Sequence, residues 1–81
     1  MTYTIYSMKG CNWCVRARNL LMTKGTKPVM IDIDEDQEAK DFVVGEGHET
    51  VPQVYFQSAM GVTEHIGGYE ALEAHLKRIT H

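Results

Sequence analysis

Two strand-type runs separated by one helical run constrain this chain more than any other feature. Tyr3-Thr4-Ile5-Tyr6-Ser7 is rich in β-branched and aromatic residues and reads as a strand. Pro28-Val29-Met30-Ile31-Asp32-Ile33 is a nearly continuous apolar run, the pattern expected of an inner parallel strand. Between them Val15, Ala17, Leu20, Leu21 and Lys24 recur at helical spacing, and Gly25 stands where a helix C-cap belongs. A helix is predicted from Cys11 or Asn12 to Lys24, after a turn at Met8-Lys9-Gly10. Strands joined by such a helix lie parallel, with a right-handed crossover.

The second half reads differently. Asp34-Glu35-Asp36 is predicted to begin a second helix, running to about Val44, with its acids at the positive end of the dipole. Gly45 to Glu49 is a loop. Val54-Tyr55-Phe56 is a third strand, Ser58 to Gly61 a turn, and Val62 to Ile66 a fourth strand, antiparallel to the third because the connection is short. Gly67-Gly68 breaks the chain, and Tyr69 to Ile79 is a closing helix with Leu72, Leu76 and Ile79 inward. The expected fold class is α/β: a mixed four-stranded sheet, βαβ then ββα, flanked by three helices. Residues 1–81 make one domain with one modest core. An apolar fraction of 43% with 23% charged residues argues against disorder.

Several function classes are disfavoured. No apolar run approaches the ~20 residues needed to span a bilayer, and Met1 to Tyr6 lacks the basic and apolar regions of a signal peptide, so a cytoplasmic protein is expected. The net charge of −3 hides an asymmetry: residues 1–31 carry Lys9, Arg16, Arg18, Lys24 and Lys27 and no acid, whereas all eleven acids lie beyond them. Without an aromatic-basic stripe, this is no nucleic-acid signature. It does put positive charge on the segment that holds the only two cysteines.

Those cysteines, in Cys11-Asn12-Trp13-Cys14, are spaced as a redox dithiol at a helix start. A helix N-terminus stabilises a thiolate, so the Cys11 pKa is expected to fall below the free value of ~8.5. Cys14, inside the first turn, is expected to be shielded. Cys11 is then the group that attacks a disulfide, and Cys14 the group that resolves the mixed disulfide. Zinc also uses CxxC, but no second cysteine pair follows; of His48, His65, His75 and His81 only His75 and His81 fall within H-x3–5-H spacing, and they stand about sixty residues beyond Cys14, far outside the short interval of a zinc finger. No metal site is expected. Thr50-Val51-Pro52 precedes the third strand, where a proline marks a bend or an edge; a trans bond is the ordinary case and a cis bond the alternative. Gly67-Gly68-Tyr69-Glu70 leads into the last helix, whose free N–H groups suit an anion.

A CxxC after strand one, TVPQV before strand three and GGYE before the last helix, in this order, resemble the glutaredoxins of the thioredoxin-like fold, notably the compact bacterial and bacteriophage type. The resemblance runs from Tyr3 to about Leu76. It implies a glutathione-dependent thiol–disulfide oxidoreductase that reduces protein disulfides or glutathione mixed disulfides, with ribonucleotide reductase as one acceptor. It implies Cys11 as nucleophile and Cys14 as resolving thiol. It also implies a glutathione groove formed by Lys9, Trp13, Thr50, Val51, Pro52, Gly68, Tyr69 and Glu70, with Pro52 cis and Val51 pairing through its backbone. Glutathione is then a co-substrate, no cofactor is permanently bound, and the chain acts as a monomer. Asn12 stands where many members have proline, and Glu70-Ala71 where the glutathione termini are usually met. The alternatives are a glutaredoxin-like donor reduced by thioredoxin reductase, an iron–sulfur carrier that ligates its cluster with the first cysteine and glutathione, and an interaction domain with an incidental disulfide.

Overall fold

The computed structural model describes residues 1–79. Strand β1 (Thr2–Ser7) leads into helix α1 (Asn12–Thr23), and β2 (Val29–Asp32) into α2 (Gln37–Gly45). Then come β3 (Gln53–Gln57), β4 (Thr63–Gly67) and α3 (Tyr69–Ile79). The sheet order is β2-β1-β3-β4. β1 and β2 are parallel, as the helical crossover demands, while β3 is antiparallel to both β1 and β4. The three-layer α/β arrangement expected from the element order is therefore the one observed. Among the described residues no helix is long and apolar enough to cross a membrane.

The strand period divides the sheet into two faces. Tyr3, Ile5 and Val54 point to one face and meet Ala17 and Leu21 of α1 and Leu72 and Leu76 of α3 in a single buried cluster. Tyr6 and Tyr55 point to the other, where their rings lie 5.4 Å from Phe42 of α2. The Tyr3 hydroxyl and His75 Nε2 pair at 2.9 Å inside the first face, joining β1 to α3. Neither polar group is left unpaired by its burial.

Four local expectations are corrected. β2 is an edge strand, with Val29 47% and Met30 38% exposed. β3 takes the other side of β1, so nothing remains to cover the outer edge of β2, and a run of apolar residues does not distinguish the two positions. Asp34 and Glu35 form a turn rather than the first turn of α2. The Asp32 side chain accepts the Asp34 N–H at 2.8 Å, and Asp36 caps α2 by accepting the Ala39 N–H at 3.1 Å. On α1 the inward positions are Cys14, Ala17 and Leu21, while Val15 is exposed. Ile79 is 58% exposed rather than inward, standing at an open cavity that it lines with Met1, Tyr3 and Phe56.

The topology also gathers one end of the sheet. Tyr6 at the end of β1 pairs with Gln53 at the start of β3, and Val54 pairs with Gly67 at the end of β4. The loops that follow β1, precede β3 and follow β4 must therefore lie side by side. Leu72 is fully buried between α1, α3 and the sheet. Leu72→Ala is expected to cost about 2–5 kcal/mol, read as a lower urea midpoint at an unchanged denaturant slope.

Candidate active site

The cysteine pair sits where the turn after β1 becomes α1. Gly10 takes a left-handed conformation (φ 76°), which only glycine adopts without strain, and the Cys11 N–H closes the turn on the Met8 carbonyl at 3.3 Å. Cys11 is the N-cap of α1. Its sulfur, rather than an oxygen, accepts the Cys14 N–H at 3.1 Å. The two cysteines are joined in a disulfide with their Cα atoms 5.2 Å apart. Cys14 is 3% exposed while Cys11 is half-buried, so an incoming nucleophile reaches only the Cys11 sulfur.

Beside this sulfur lies a cavity of about 420 Å³ lined by Trp13, Val51, Pro52, Gly68, Tyr69, Glu70 and Ala71. The three segments singled out in the sequence thus meet in one groove. The Val51–Pro52 peptide bond is cis, and the Val51 carbonyl oxygen lies 3.8 Å from Cys11 Sγ. In the disulfide this is a contact only; the reduced thiol has a proton to donate across it. Among the described residues no backbone–backbone hydrogen bond engages Glu49, Thr50, Val51 or Pro52, so the N–H of Val51 is free for a partner other than the protein backbone. The N–H groups of Tyr69, Glu70 and Ala71 open α3, ahead of the first helical bond from Leu72 to Gly68 at 3.0 Å, and such groups favour an anion.

The two glycines before α3 differ in their reasons. Gly67 has φ 123°, and a Cβ there would stand 2.9 Å from the Ala71 Cβ. Gly68 would place a Cβ 3.7 Å from the Pro52 carbonyl, an ordinary contact. Gly67 is therefore required by the bend, and Gly68 only keeps the chain close to Pro52. Trp13 and Tyr69 face each other across the mouth with ring centroids 5.4 Å apart, and the Arg16 guanidinium lies 4.8 Å over Trp13.

The chain matches the glutaredoxin family over residues 3–59. It belongs to that family. It is 36% identical over 70 residues to a probable glutaredoxin of Synechocystis, covering 84% of this chain and 60% of that relative, and so spans less than two thirds of that protein. It is 32% identical over 71 residues to glutaredoxin 3 of Escherichia coli, covering 86% of this chain and 80% of that one. The solution structure of a glutaredoxin from Brucella melitensis superposes with a TM-score of 0.73 at 30% identity, covering 96% of this chain and 80% of that one. This glutaredoxin-family domain thus carries a closed CxxC disulfide in which Cys14 is buried and Cys11 accessible.

Two expected groove residues lie elsewhere. Lys9 does not line the cavity; its ammonium, largely exposed, sits 4.0 Å from a Glu35 carboxylate oxygen. Thr50 lines a neighbouring cavity of about 260 Å³ together with Met8, Lys40 and His48. Among the described residues no group of three or more His, Cys, Asp or Glu lies in metal-binding reach; His81 lies outside the described residues. The sequence reading missed a polar cluster behind Pro52. Gln53, only 7% exposed, donates from Nε2 to the Thr50 carbonyl at 3.0 Å and accepts on Oε1 from His65 Nε2 at 2.8 Å. His65 stacks on His48, centroids 4.5 Å apart, and on Tyr55 at 4.8 Å. The overlooked sign was a glutamine at an inward position beside the proline.

Burial first and the neighbouring His48 second hold the His65 pKa below its ordinary value of 6.5, against an upward pull from Glu46. The folded state therefore binds this proton less readily than the unfolded chain. The contribution of His65 to stability is complete above its unfolded pKa and is lost as pH falls through 6.5 toward the lowered folded value. Urea midpoints measured between pH 7.5 and 5.0 are expected to fall less for His65→Gln than for the parent.

Proposed function

We propose that the protein is a dithiol glutaredoxin that reduces protein disulfides and glutathione mixed disulfides, with glutathione as reductant. The observation that supports this most is the Cys11 sulfur, held as the N-cap of α1 beside the cavity formed by Val51, Pro52 and the first turn of α3. The Cys14 N–H and the helix N-terminus stabilise the Cys11 thiolate. That thiolate attacks a substrate disulfide, forms a mixed disulfide and expels the other sulfur as a thiolate. The Cys14 thiol, one helical turn away, loses its proton and attacks the Cys11 sulfur, releasing the reduced substrate and leaving the Cys11–Cys14 disulfide. One glutathione thiolate then attacks Cys11, freeing Cys14. A second attacks the glutathione sulfur of that mixed disulfide, giving glutathione disulfide and the Cys11 thiolate, so two electrons pass in each cycle.

Glutathione fits the groove on three counts. An extended cysteinyl moiety pairs with the free backbone of Val51, a carboxylate lies at the N–H groups of Tyr69 to Ala71, and Trp13 with Tyr69 walls the mouth. Pro52, Gly68 and Glu70 complete the lining; Lys9 and Thr50, which do not line the cavity, are left without a contact in this reading. The site is complete within one chain, which suits a monomer working in the reducing cytoplasm. A ribonucleotide reductase disulfide is one protein acceptor of the kind this reading includes.

The test is turnover of a glutathione mixed disulfide, recycled by glutathione and glutathione reductase. Cys11→Ser is expected to abolish it. Cys14→Ser should keep reduction of the glutathione mixed disulfide and lose most reduction of protein disulfides. Full activity in Cys11→Ser, or turnover only when thioredoxin reductase replaces the glutathione system, overturns the proposal.

A further inference from the structure

Glu49 to Pro52 belongs to no helix or strand, and no backbone–backbone bond among the described residues holds it. Yet it has to present Val51 at a set distance from Cys11. Besides the Cys11 sulfur against the Val51 carbonyl, the side chain among the described residues that bonds its backbone is Gln53, whose Nε2 reaches the Thr50 carbonyl at 3.0 Å and the Thr50 hydroxyl at 3.4 Å. The orientation of that amide is not arbitrary. A carbonyl oxygen only accepts, so the group facing Thr50 must be the NH2 and the group facing His65 the amide oxygen. His65 Nε2, at 2.8 Å, must then carry the proton and donate.

His65 is fixed in turn. Its ring packs against both His48 and Tyr55, tilted 32° and 44° to them, while those two rings also meet each other edge-on. The Tyr55 hydroxyl donates to Glu46 Oε1 at 3.5 Å, which leaves its oxygen to accept from His48 Nε2 at 2.8 Å. A relay therefore runs from β4 to the groove: His65 sets the Gln53 amide, Gln53 sets the Thr50 carbonyl, and Thr50 precedes Val51. Glu46 and His48 are the charged or titratable groups facing His65 across the stack.

We infer that Gln53 and His65 are positioning residues that hold Thr50-Val51-Pro52 in register for the glutathione moiety, acting from the sheet face opposite the groove. The inference rests on the glutathione reading given above. Losing one neutral hydrogen bond of such a relay is expected to raise KM for the glutathione mixed disulfide about fivefold to tenfold. kcat should move less than twofold, since neither side chain touches a reacting atom.

Three variants test it. Gln53→Glu is isosteric and keeps the acceptor for His65, but places an oxygen against the Thr50 carbonyl. His65→Leu removes the donor, and His65→Gln restores an N–H near the position of Nε2. Each is assayed with a glutathione mixed disulfide and with the corresponding cysteamine mixed disulfide, which lacks the γ-glutamyl and glycyl groups. A raised KM for the glutathione substrate in Gln53→Glu and His65→Leu, recovered in His65→Gln, is the expected result. If Gln53→Glu does not fold, the His65 pair carries the test alone. A parent protein that prefers glutathione over cysteamine, with KM in folded variants within twofold of its own, overturns the inference and spares the glutathione reading. A parent with no such preference overturns both.

Discussion

The hydrogen bond from the Cys14 N–H to the Cys11 sulfur is the contact on which the site depends. Every helix leaves its first N–H groups without partners, and most chains satisfy them with a serine, threonine or aspartate oxygen. Here a sulfur takes that place. The sulfur that the proposed chemistry uses is thereby part of the helix end, the place where a helix favours negative charge. No acid lies in the first turn of α1, so nothing on the helix itself offsets that positive end. One turn further on, Cys14 is turned into the core with Ala17 and Leu21. The two thiols differ in accessibility because they occupy the cap and an inward position of the same helix.

That helix end would have no groove without the sheet. β1 lies between β2 and β3, and the antiparallel pairings of β3 bring its start beside the end of β1 and the end of β4. The ladder irregularity between Val54 and Tyr55 and the left-handed Gly67 turn the chain toward Pro52 before α3 begins. Sequence separations of forty residues and more are closed by strand pairing, with the cavity as the space left between three loop ends.

The two faces of the sheet carry different loads. Toward α1 and α3 the core is apolar apart from the Tyr3–His75 pair and Ser7, whose hydroxyl donates to the Ile31 carbonyl. Toward α2 the helix is short, and the surface is filled by Tyr6, Phe42, Tyr55, His48 and His65 in tilted and edge-on ring contact. Burying Gln53 there is tolerable because both ends of its amide are paired. No buried side-chain nitrogen or oxygen among the described residues lacks a partner. A polar cluster of this kind behind a binding loop specifies geometry more than it adds stability.

Much of this protein was determined by its sequence alone. The alternation of strand and helix patterns, punctuated at Gly10, Gly25 and Gly67-Gly68, is local information, and it was enough for the α/β class, the element order and the sense of the β1–β2 and β3–β4 pairs, whereas the antiparallel β1–β3 pairing came only with the tertiary structure. The CxxC at a helix start carried its chemistry in its spacing, because capping acts within one turn. Tertiary structure decided what depends on neighbours. The apolar run Val29–Met30 became an edge because β3 claimed the other side of β1, and Ile79 was left more than half exposed at the rim of the core. Lys9 turned to Glu35 rather than to the groove, a choice between solvated charges that spacing does not encode. Gln53 and His65, twelve residues apart, met only because β3 and β4 pair, and hydrogen bonds between strands follow register, which no local pattern of these residues contains.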